Sequence, residues 1–396
     1  MKELKAIIQL VLKLTFLISL FPLRIFKLKK NRIFLLNSLL SLEAKYSCNT
    51  KYIAEYILEK YNNKFEIIYP LEEKQKKDEL SSKGIKVVRM KTLKYYYYIL
   101  TSKVFITTNG SISYIPFRKS QIVINTWHGG GAYKKTGLDN NDTLANKINC
   151  KIIENKISYF ISSNRYFTNV ISKAFMIPEE KFLNIGLPRN DIFFHKNNKM
   201  IKKVKKYYSL SDESKIILYA PTYRTKNGDQ MLKHELGPYE LDYKKILKSL
   251  KEKFGGEWHF ALRVHPSLVS QLKDIPKDII NMSGYDDVQE LLYTSDILIN
   301  DYSSIMWDFV QTRKPCFIYA TDLKEYENSA GLYTKPSNWP FPLAETENEL
   351  LKKIEEFDDM EYQKKIDYYF EWMGNFETGE ACKKLVNIIL KECGSL

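Results

Sequence analysis

The turn Asn125-Thr126-Trp127-His128-Gly129-Gly130-Gly131-Ala132 sets an imidazole beside three consecutive glycines. Glycines let a backbone come close to a ligand and turn its N–H groups toward an anion, while an imidazole near neutral pH can take a proton. A lone histidine is more often structural, and glycine turns also serve only to link elements, but the two together point to a site. In Arg263-Val264-His265-Pro266 a cation and an imidazole stand two residues apart, on one face of a strand, as a phosphate grip would need. Simple edging of the sheet is the alternative, yet Pro266 ends the strand where a ligand would sit. Asn300-Asp301-Tyr302-Ser303-Ser304 lies between an apolar strand and the helical run Ile305–Val310. That spacing predicts Ser303 and Ser304 at a helix start, where an anion such as a pyrophosphate is favoured and where N-capping would give the same local pattern. Pro221-Thr222-Tyr223-Arg224 and Pro188-Arg189-Asn190-Asp191 each offer an arginine near a turn, a position that is ordinarily just solvated.

Elements able to hold these turns are legible around them. Short β-rich runs at Ile33–Asn37, Phe65–Tyr69, Lys86–Arg89, Val104–Thr107, Ile122–Thr126 and Tyr159–Ser162 alternate with helical patterns such as Lys51–Tyr61 and Asn164–Phe175. A second series has strands at Ile216–Ala220, Trp258–Val264, Ile279–Met282, Ile297–Asn300 and Cys316–Tyr319, with Val288, Leu291 and Leu292 at helical spacing before the Ile297 strand. The charged stretch Lys196–Lys206 between the series reads as a linker. The expectation is an α/β protein of two Rossmann-like lobes with a central cleft: residues 1–30 a membrane-associating segment, 31–205 an acceptor lobe, 206–396 a donor lobe. In open α/β sheets ligands bind beyond the carboxyl ends of the strands, which is where the turns at His128, Thr222, His265 and Ser303 fall, while the Arg189 turn lies near the boundary between the lobes.

Composition narrows the partners. The chain has 396 residues, 44% hydrophobic and 27% charged, as a folded globular protein of two domains has. Its net charge of +14 favours anionic partners. The basic residues follow no zinc-finger, basic-heptad or RNA-binding pattern, which argues against nucleic acid. Five dispersed cysteines, none in a C-x-x-C pair, argue against a disulfide framework or a zinc site, and Cys316 in an apolar run reads as core. No carboxylate cluster of metal-ligand type is visible, so neither a metal nor another cofactor is expected.

Residues Ala6 to Phe21 are almost continuously apolar, interrupted by Lys13 and flanked by Lys2, Lys5, Arg24, Lys27, Lys29, Lys30 and Arg32. The run is short for a transmembrane helix and meets Pro22, and no small-residue cleavage site follows. It predicts a helix lying in the interface of an anionic inner leaflet, peripheral on the cytoplasmic side; an ordinary first core helix is the alternative reading.

In this order and spacing the motifs resemble the CDP-glycerol glycerophosphotransferase family, the primases and polymerases of teichoic acid and related capsule enzymes. The likeness runs from about Val104 to the C-terminus. It rests on Trp127-His128-Gly129, Gly186-Leu187-Pro188-Arg189-Asn190-Asp191, Ala220-Pro221-Thr222-Tyr223-Arg224, Arg263-Val264-His265-Pro266, Ser295 to Ser304 followed by Asp308, and a closing Phe376-Glu377-Thr378-Gly379-Glu380-Ala381. Where the family often has Thr-Pro after Trp-His-Gly, this chain has Gly130-Gly131-Ala132. The resemblance implies a GT-B fold and a donor site lined by His128, Gly129, Gly130, Gly131, Ala132, Arg189, Pro221, Thr222, Arg263, His265, Ser303, Ser304 and Asp308. It implies a hydroxyl of a membrane-linked polymer acceptor attacking the phosphorus that bears the polyol of CDP-glycerol, with CMP leaving. His128 is then the general base, His265, Arg263 and Arg189 serve the pyrophosphate, and Ser303 and Ser304 bind phosphate. CDP-ribitol is the alternative donor. A sugar-nucleotide glycosyltransferase on the same fold is a further reading, and a non-catalytic lipid- or polyanion-binding protein another.

Overall fold

Near-continuous apolar runs such as Ile33–Leu36, Val104–Ile106 and Ile122–Ile124 are buried throughout, the mark of parallel strands covered on both faces. The computed structural model describes residues 2–37, 45–110, 112–222, 241–264 and 275–394. The chain divides into two compact units, Met1–Asp191 with Met373–Leu396, and Ile192–Trp372.

The first unit holds β1 (Lys29–Leu36), β2 (Glu66–Pro70), β3 (Lys86–Val88), β4 (Ser102–Thr107), β5 (Ile122–Asn125), β6 (Tyr159–Ser162) and β7 (Phe182–Asn184). All pair in parallel, in the order β3-β2-β1-β4-β5-β6-β7. The order reverses between β1 and β4, so Thr107 and Thr108 leave β4 at the switch point. One face of the sheet is covered by helix Cys48–Lys60, through Ile53, Ala54 and Ile57, and by the last helix Ala381–Cys393, through Leu385, Val386, Ile389 and Leu390. Tyr95, Tyr98 and Ile99 of helix Leu93–Thr101 and Phe167 and Ile171 of helix Arg165–Phe175 cover the other.

The second unit holds β8 (Lys215–Ala220), β9 (Trp258–Leu262), β10 (Ile280–Asn281), β11 (Ile297–Asn300), β12 (Cys316–Tyr319) and β13 (Leu343–Ala344). They too are all parallel, in the order β10-β9-β8-β11-β12-β13, with the reversal between β8 and β11.

Two expectations change. The stretch Lys196–Lys206 is not a linker: Asn197 accepts a hydrogen bond from the Met200 N–H and caps helix Asn198–Tyr207, whose Val204 is buried. Its many lysines hid a narrow apolar face. The compact units change over at Asp191 rather than at residue 205, and the C-terminal helix packs with the first unit instead of the second.

Helix Lys2–Leu20 leads into a short 3-10 turn, Phe21–Ile25, with Pro22 near its start. By length and composition the stretch Glu3–Ile25 is apolar enough to cross a membrane, longer than the Ala6–Phe21 run suggested. Leu4, Ile8, Val11, Leu12 and Ile18 are all more than half exposed, whereas Ala6 and Leu20 are buried. Lys13 turns inward, donating to Asn149 Oδ1 at 3.4 Å, and burial lowers the pKa of its ammonium. The residue that broke the apolar run therefore belongs to the face packed on the protein.

Candidate functional site

In the first unit the turn after β5 is built around Trp127. Asn125 Oδ1 accepts the Trp127 N–H at 2.8 Å, and Trp127 carries a left-handed φ of +54°. The reversed backbone thus falls on Trp127 rather than on the glycines that follow. Gly130 has a different use: its carbonyl accepts from Ser163 Oγ at 2.8 Å and Asn164 Nδ2 at 2.7 Å, and a Cβ would stand 3.0 Å from Ser163 Oγ. Its small size lets the turn close onto the end of β6.

His128 is partly buried, with its ring stacked on Trp127 at 4.7 Å between centroids. His128 Nδ1 lies 2.9 Å from the Thr108 carbonyl oxygen. A carbonyl only accepts, so Nδ1 carries the proton and Nε2 keeps its lone pair. Burial lowers the imidazole's pKa, against the raising effect of the Thr108 bond and with a further lowering from Arg189. The neutral form is favoured, with the basic nitrogen away from its anchor.

Arg189 is buried beside this turn, and Asn49 joins the two: Asn49 Oδ1 accepts the Arg189 N–H at 3.0 Å while its Nδ2 donates to the Trp127 carbonyl at 3.0 Å. Arg189 Nη1 also donates to Cys48 Sγ at 3.3 Å. The two motifs Gly186–Asp191 and Phe376–Ala381 are locked together behind Arg189. Glu377 accepts from the Leu187 N–H at 3.1 Å and from Asn190 Nδ2 at 2.9 Å, while Asp191 accepts the Ala381 and Cys382 N–H groups at 2.8 Å. Gly186, at φ +87°, leaves room for Glu377: a Cβ there would lie 2.6 Å from Glu377 Oε2.

In the second unit Pro221 and Thr222 follow β8, and Asp301 to Ser304 follow its neighbour β11, on the two sides of the switch point. Asp301, itself buried, accepts the Thr222 N–H on both oxygens at 2.9 Å, the Thr222 hydroxyl and the Tyr302 N–H. Asn300 Nδ2 donates to the Ser303 carbonyl at 2.8 Å. The helix after Ser304 does start at Ile305, but it runs only to Phe309, and Ser304 makes no side-chain capping bond to it. The competing capping role for that hydroxyl is therefore not the one adopted.

Arg263 directly follows β9 and differs from a free phosphate grip: its Nη1 donates to the Met282 and Tyr285 carbonyls, each at 2.9 Å, holding the turn after β10. Asp308 is fully buried and accepts from Gln289 Nε2 at 3.0 Å. His265 and Arg224 lie outside the described residues. Among the described residues no group of three or more His, Cys, Asp or Glu is placed to hold a metal ion, and the five cysteines are free and buried.

Each unit thus brings its own nominated residues together: His128, Gly129 to Ala132 and Arg189 in the first, Pro221, Thr222, Ser303 and Ser304 in the second. Asn49, Thr108, Asn164 and Asp301 escaped the sequence reading as site residues. Only Asp301 stood inside a motif; an isolated buried Asn or Thr carries no local signal.

Two doubly wound parallel sheets with polar turns at their carboxyl ends are the two lobes of the GT-B fold class. The family model "CDP-Glycerol:Poly(glycerophosphate) glycerophosphotransferase" matches residues 19–391, and the chain belongs to that family. It is 30% identical over 361 residues to the teichoic acid poly(glycerol phosphate) polymerase of Bacillus spizizenii, covering 87% of this chain and 89% of that one. A polymerase of the same description from Staphylococcus epidermidis is 29% identical over 362 residues, and there the alignment spans 88% of this chain but 49% of the longer relative. A solved point variant of the wall teichoic acid polymerase TagF superposes with a TM-score of 0.79 at 27% identity, covering 99% of this chain and 97% of that one. A TagF variant soaked with CDPG superposes equally well, at 25% identity.

Proposed function

We propose that this protein transfers glycerol phosphate from CDP-glycerol to a hydroxyl of a membrane-linked acceptor, releasing CMP, in the synthesis of a teichoic acid or capsule-type polymer. The observation that carries the reading is the state of His128: Nδ1 held by the Thr108 carbonyl, Nε2 left basic, and the imidazole biased toward neutrality. An acceptor hydroxyl needs such a base, worth on the order of 10²–10⁴-fold, while the phosphorus needs positioning and charge neutralisation more than covalent help.

His128 takes the hydroxyl proton. Arg189 and the N–H groups from Gly129 to Ala132 balance charge near it. Pro221, Thr222, Ser303 and Ser304 bind the donor, with Ser303 and Ser304 on phosphate. Arg263 serves the pyrophosphate through the N–H groups that its turn does not use, Asp308 supports the donor side from behind, and His265 acts with Arg263 on the leaving CMP. No metal or other cofactor is assigned a part. The exposed apolar face of helix Lys2–Leu20, followed by Arg24, Lys27, Lys29 and Lys30, anchors the enzyme on the anionic cytoplasmic leaflet, where a lipid-linked acceptor is met.

The test is CMP release by the full chain with membranes or a lipid-linked acceptor, offering CDP-glycerol, CDP-ribitol and a panel of UDP- and GDP-sugars in parallel. Release of CMP from CDP-glycerol, lost in His128→Ala, is expected. Release from CDP-ribitol alone would move the donor to the ribitol analogue, and turnover of a sugar nucleotide alone would overturn the phosphotransferase.

A further inference from the structure

Asp301 was nominated for no role, yet it is the hub of the second unit's switch point. β8 and β11 are parallel neighbours with Ala220 opposite Asn300, so the chain leaves both strands at one level and two turns emerge side by side. Asp301 is 2% exposed and spans them. On the β8 side it accepts the Thr222 N–H on both carboxylate oxygens at 2.9 Å and the Thr222 hydroxyl on Oδ1. On its own side it accepts the Tyr302 N–H on the same Oδ1. Asn300 fixes the next residue by donating to the Ser303 carbonyl, and the Tyr302 ring is buried with its hydroxyl 3.2 Å from Asp322 Oδ1.

We infer that Asp301 is a positioning residue for the donor site, and that it fixes Thr222 as a hydrogen-bond acceptor selecting a hydroxyl or amino group of the CDP-polyol rather than a phosphate oxygen. The inference rests on the donor-binding role given above to Thr222. A hydroxyl has one proton, and Asp301 Oδ1, which already accepts backbone N–H groups, can only accept that proton too. Any further partner of Thr222 Oγ1 must therefore donate. The ribose and polyol hydroxyls and the cytosine amine can do so; an ionised phosphate oxygen cannot. Ser303 and Ser304, whose hydroxyls are not committed in this way to Asp301, are left as the phosphate ligands of the same switch point. One carboxylate thereby sorts the two turns by polarity.

The test compares wild-type enzyme with Thr222→Val, Thr222→Ser and Asp301→Asn. Steady-state KM and kcat are measured with CDP-glycerol, together with competitive inhibition by CMP and by inorganic pyrophosphate. Valine keeps the shape and the backbone N–H but removes the acceptor. KM for CDP-glycerol should rise about tenfold, with the inhibition constant of CMP rising alongside when the donating group is on the ribose or cytosine and staying in place when it is on the polyol, while pyrophosphate inhibition and kcat stay within a few-fold, and Thr222→Ser should restore the wild-type values. Asparagine at 301 presents an NH2 where an oxygen accepted N–H groups, so it should weaken CMP more than pyrophosphate by releasing the Thr222 turn. Equal weakening of CMP and pyrophosphate in Thr222→Val would overturn the assigned polarity. Should Asp301→Asn lower only the melting temperature and leave KM and CMP inhibition unchanged, the positioning role is lost. Wild-type turnover of CDP-glycerol in the same plate reports separately on the parent reading: if only another nucleotide donor turns over, that reading falls, and the four proteins are compared with the donor that works. If Asp301→Asn does not fold, the two Thr222 variants decide the polarity alone.

Discussion

The two units hold their turns in opposite ways. In the first, the Trp127–His128 turn is braced from three separate stretches of chain, Asn49, Thr108 and Ser163 with Asn164, and Asn49 also ties it to Arg189 and the Glu377 clamp. In the second, one side chain, Asp301, joins the turns after β8 and β11 from within the motif it organises. The His128 turn is held by bonds from several stretches of chain, whereas the bonds that join the turns after β8 and β11 meet on one carboxylate, 79 residues along the chain from Thr222. A group that must present one nitrogen in one tautomer gains from bracing in several directions, whereas two turns leaving adjacent parallel strands are already brought together by the sheet.

The largest effect should come from removing what the first unit's bracing serves. His128→Gln leaves Trp127, Asn125 and Asn49 in place, and CMP release should drop on the order of 10²–10⁴-fold while circular dichroism and the melting temperature stay near wild type. Retained turnover would deny His128 the role of base and make the bracing purely architectural.

Next comes the clamp. Gly186→Ala places a Cβ 2.6 Å from Glu377 Oε2 and 3.2 Å from the Glu377 Cα, at a φ of +87° that side chains rarely adopt. The collision involves backbone on the far side, so relaxation is limited, and stability should fall by roughly 1–3 kcal/mol. Gly284→Ala, in the second unit's turn held by Arg263, meets nothing within 4 Å and should stay within about 0.5 kcal/mol. Thermal unfolding of both variants checks the pair. Similar losses would mean that the first unit's bracing is not tighter than the second's.

Asn49→Ala cuts the link between the Trp127 carbonyl and the Arg189 N–H and strands a buried donor, a loss of about 1–3 kcal/mol in stability. Because the Thr108 and Ser163–Asn164 braces remain, CMP release should fall less than in His128→Gln. An equal fall would make Asn49 the main support of the turn.

How far the sequence revealed this follows the same division. The parallel sheets were legible because buried strands such as Ile297–Asn300 and Cys316–Tyr319 are apolar throughout and bounded by turns. β7 (Phe182–Asn184) and β13 (Leu343–Ala344) were not, carrying no β-branched residue, unlike the equally short edge strands β3 and β10. The motif residues around His128 and Thr222 were legible as local clusters of glycine, histidine and hydroxyl groups. Their bracing was not: Asn49 lies 78 residues from Trp127 and 140 from Arg189, and nothing near it in the chain announces a partner. The closing motif Phe376–Ala381 was noticed, but its place in the first unit depends on Glu377 meeting Leu187 and Asn190, and on Asp191 meeting the Ala381 and Cys382 N–H groups, across 187 to 191 residues of chain.

The finest test of the comparison is electrostatic. As a base, His128 works unprotonated, so kcat/KM should be flat near neutral pH and fall on the acid side as the imidazole takes a proton. Burial and then the nearby Arg189 lower its pKa, offsetting the Thr108 bond, so the acid limb should lie below the ordinary histidine value of about 6.5. Replacing Arg189 by Met removes a positive neighbour, which makes protonation easier and should move the limb to higher pH, whatever it does to the overall rate. Replacing Asp301 by Asn, in the unit that holds no part of the base, should weaken donor binding and leave the limb in place. A limb that moved with Asp301 and not with Arg189 would place control of the base in the second unit and reverse the division drawn between the two.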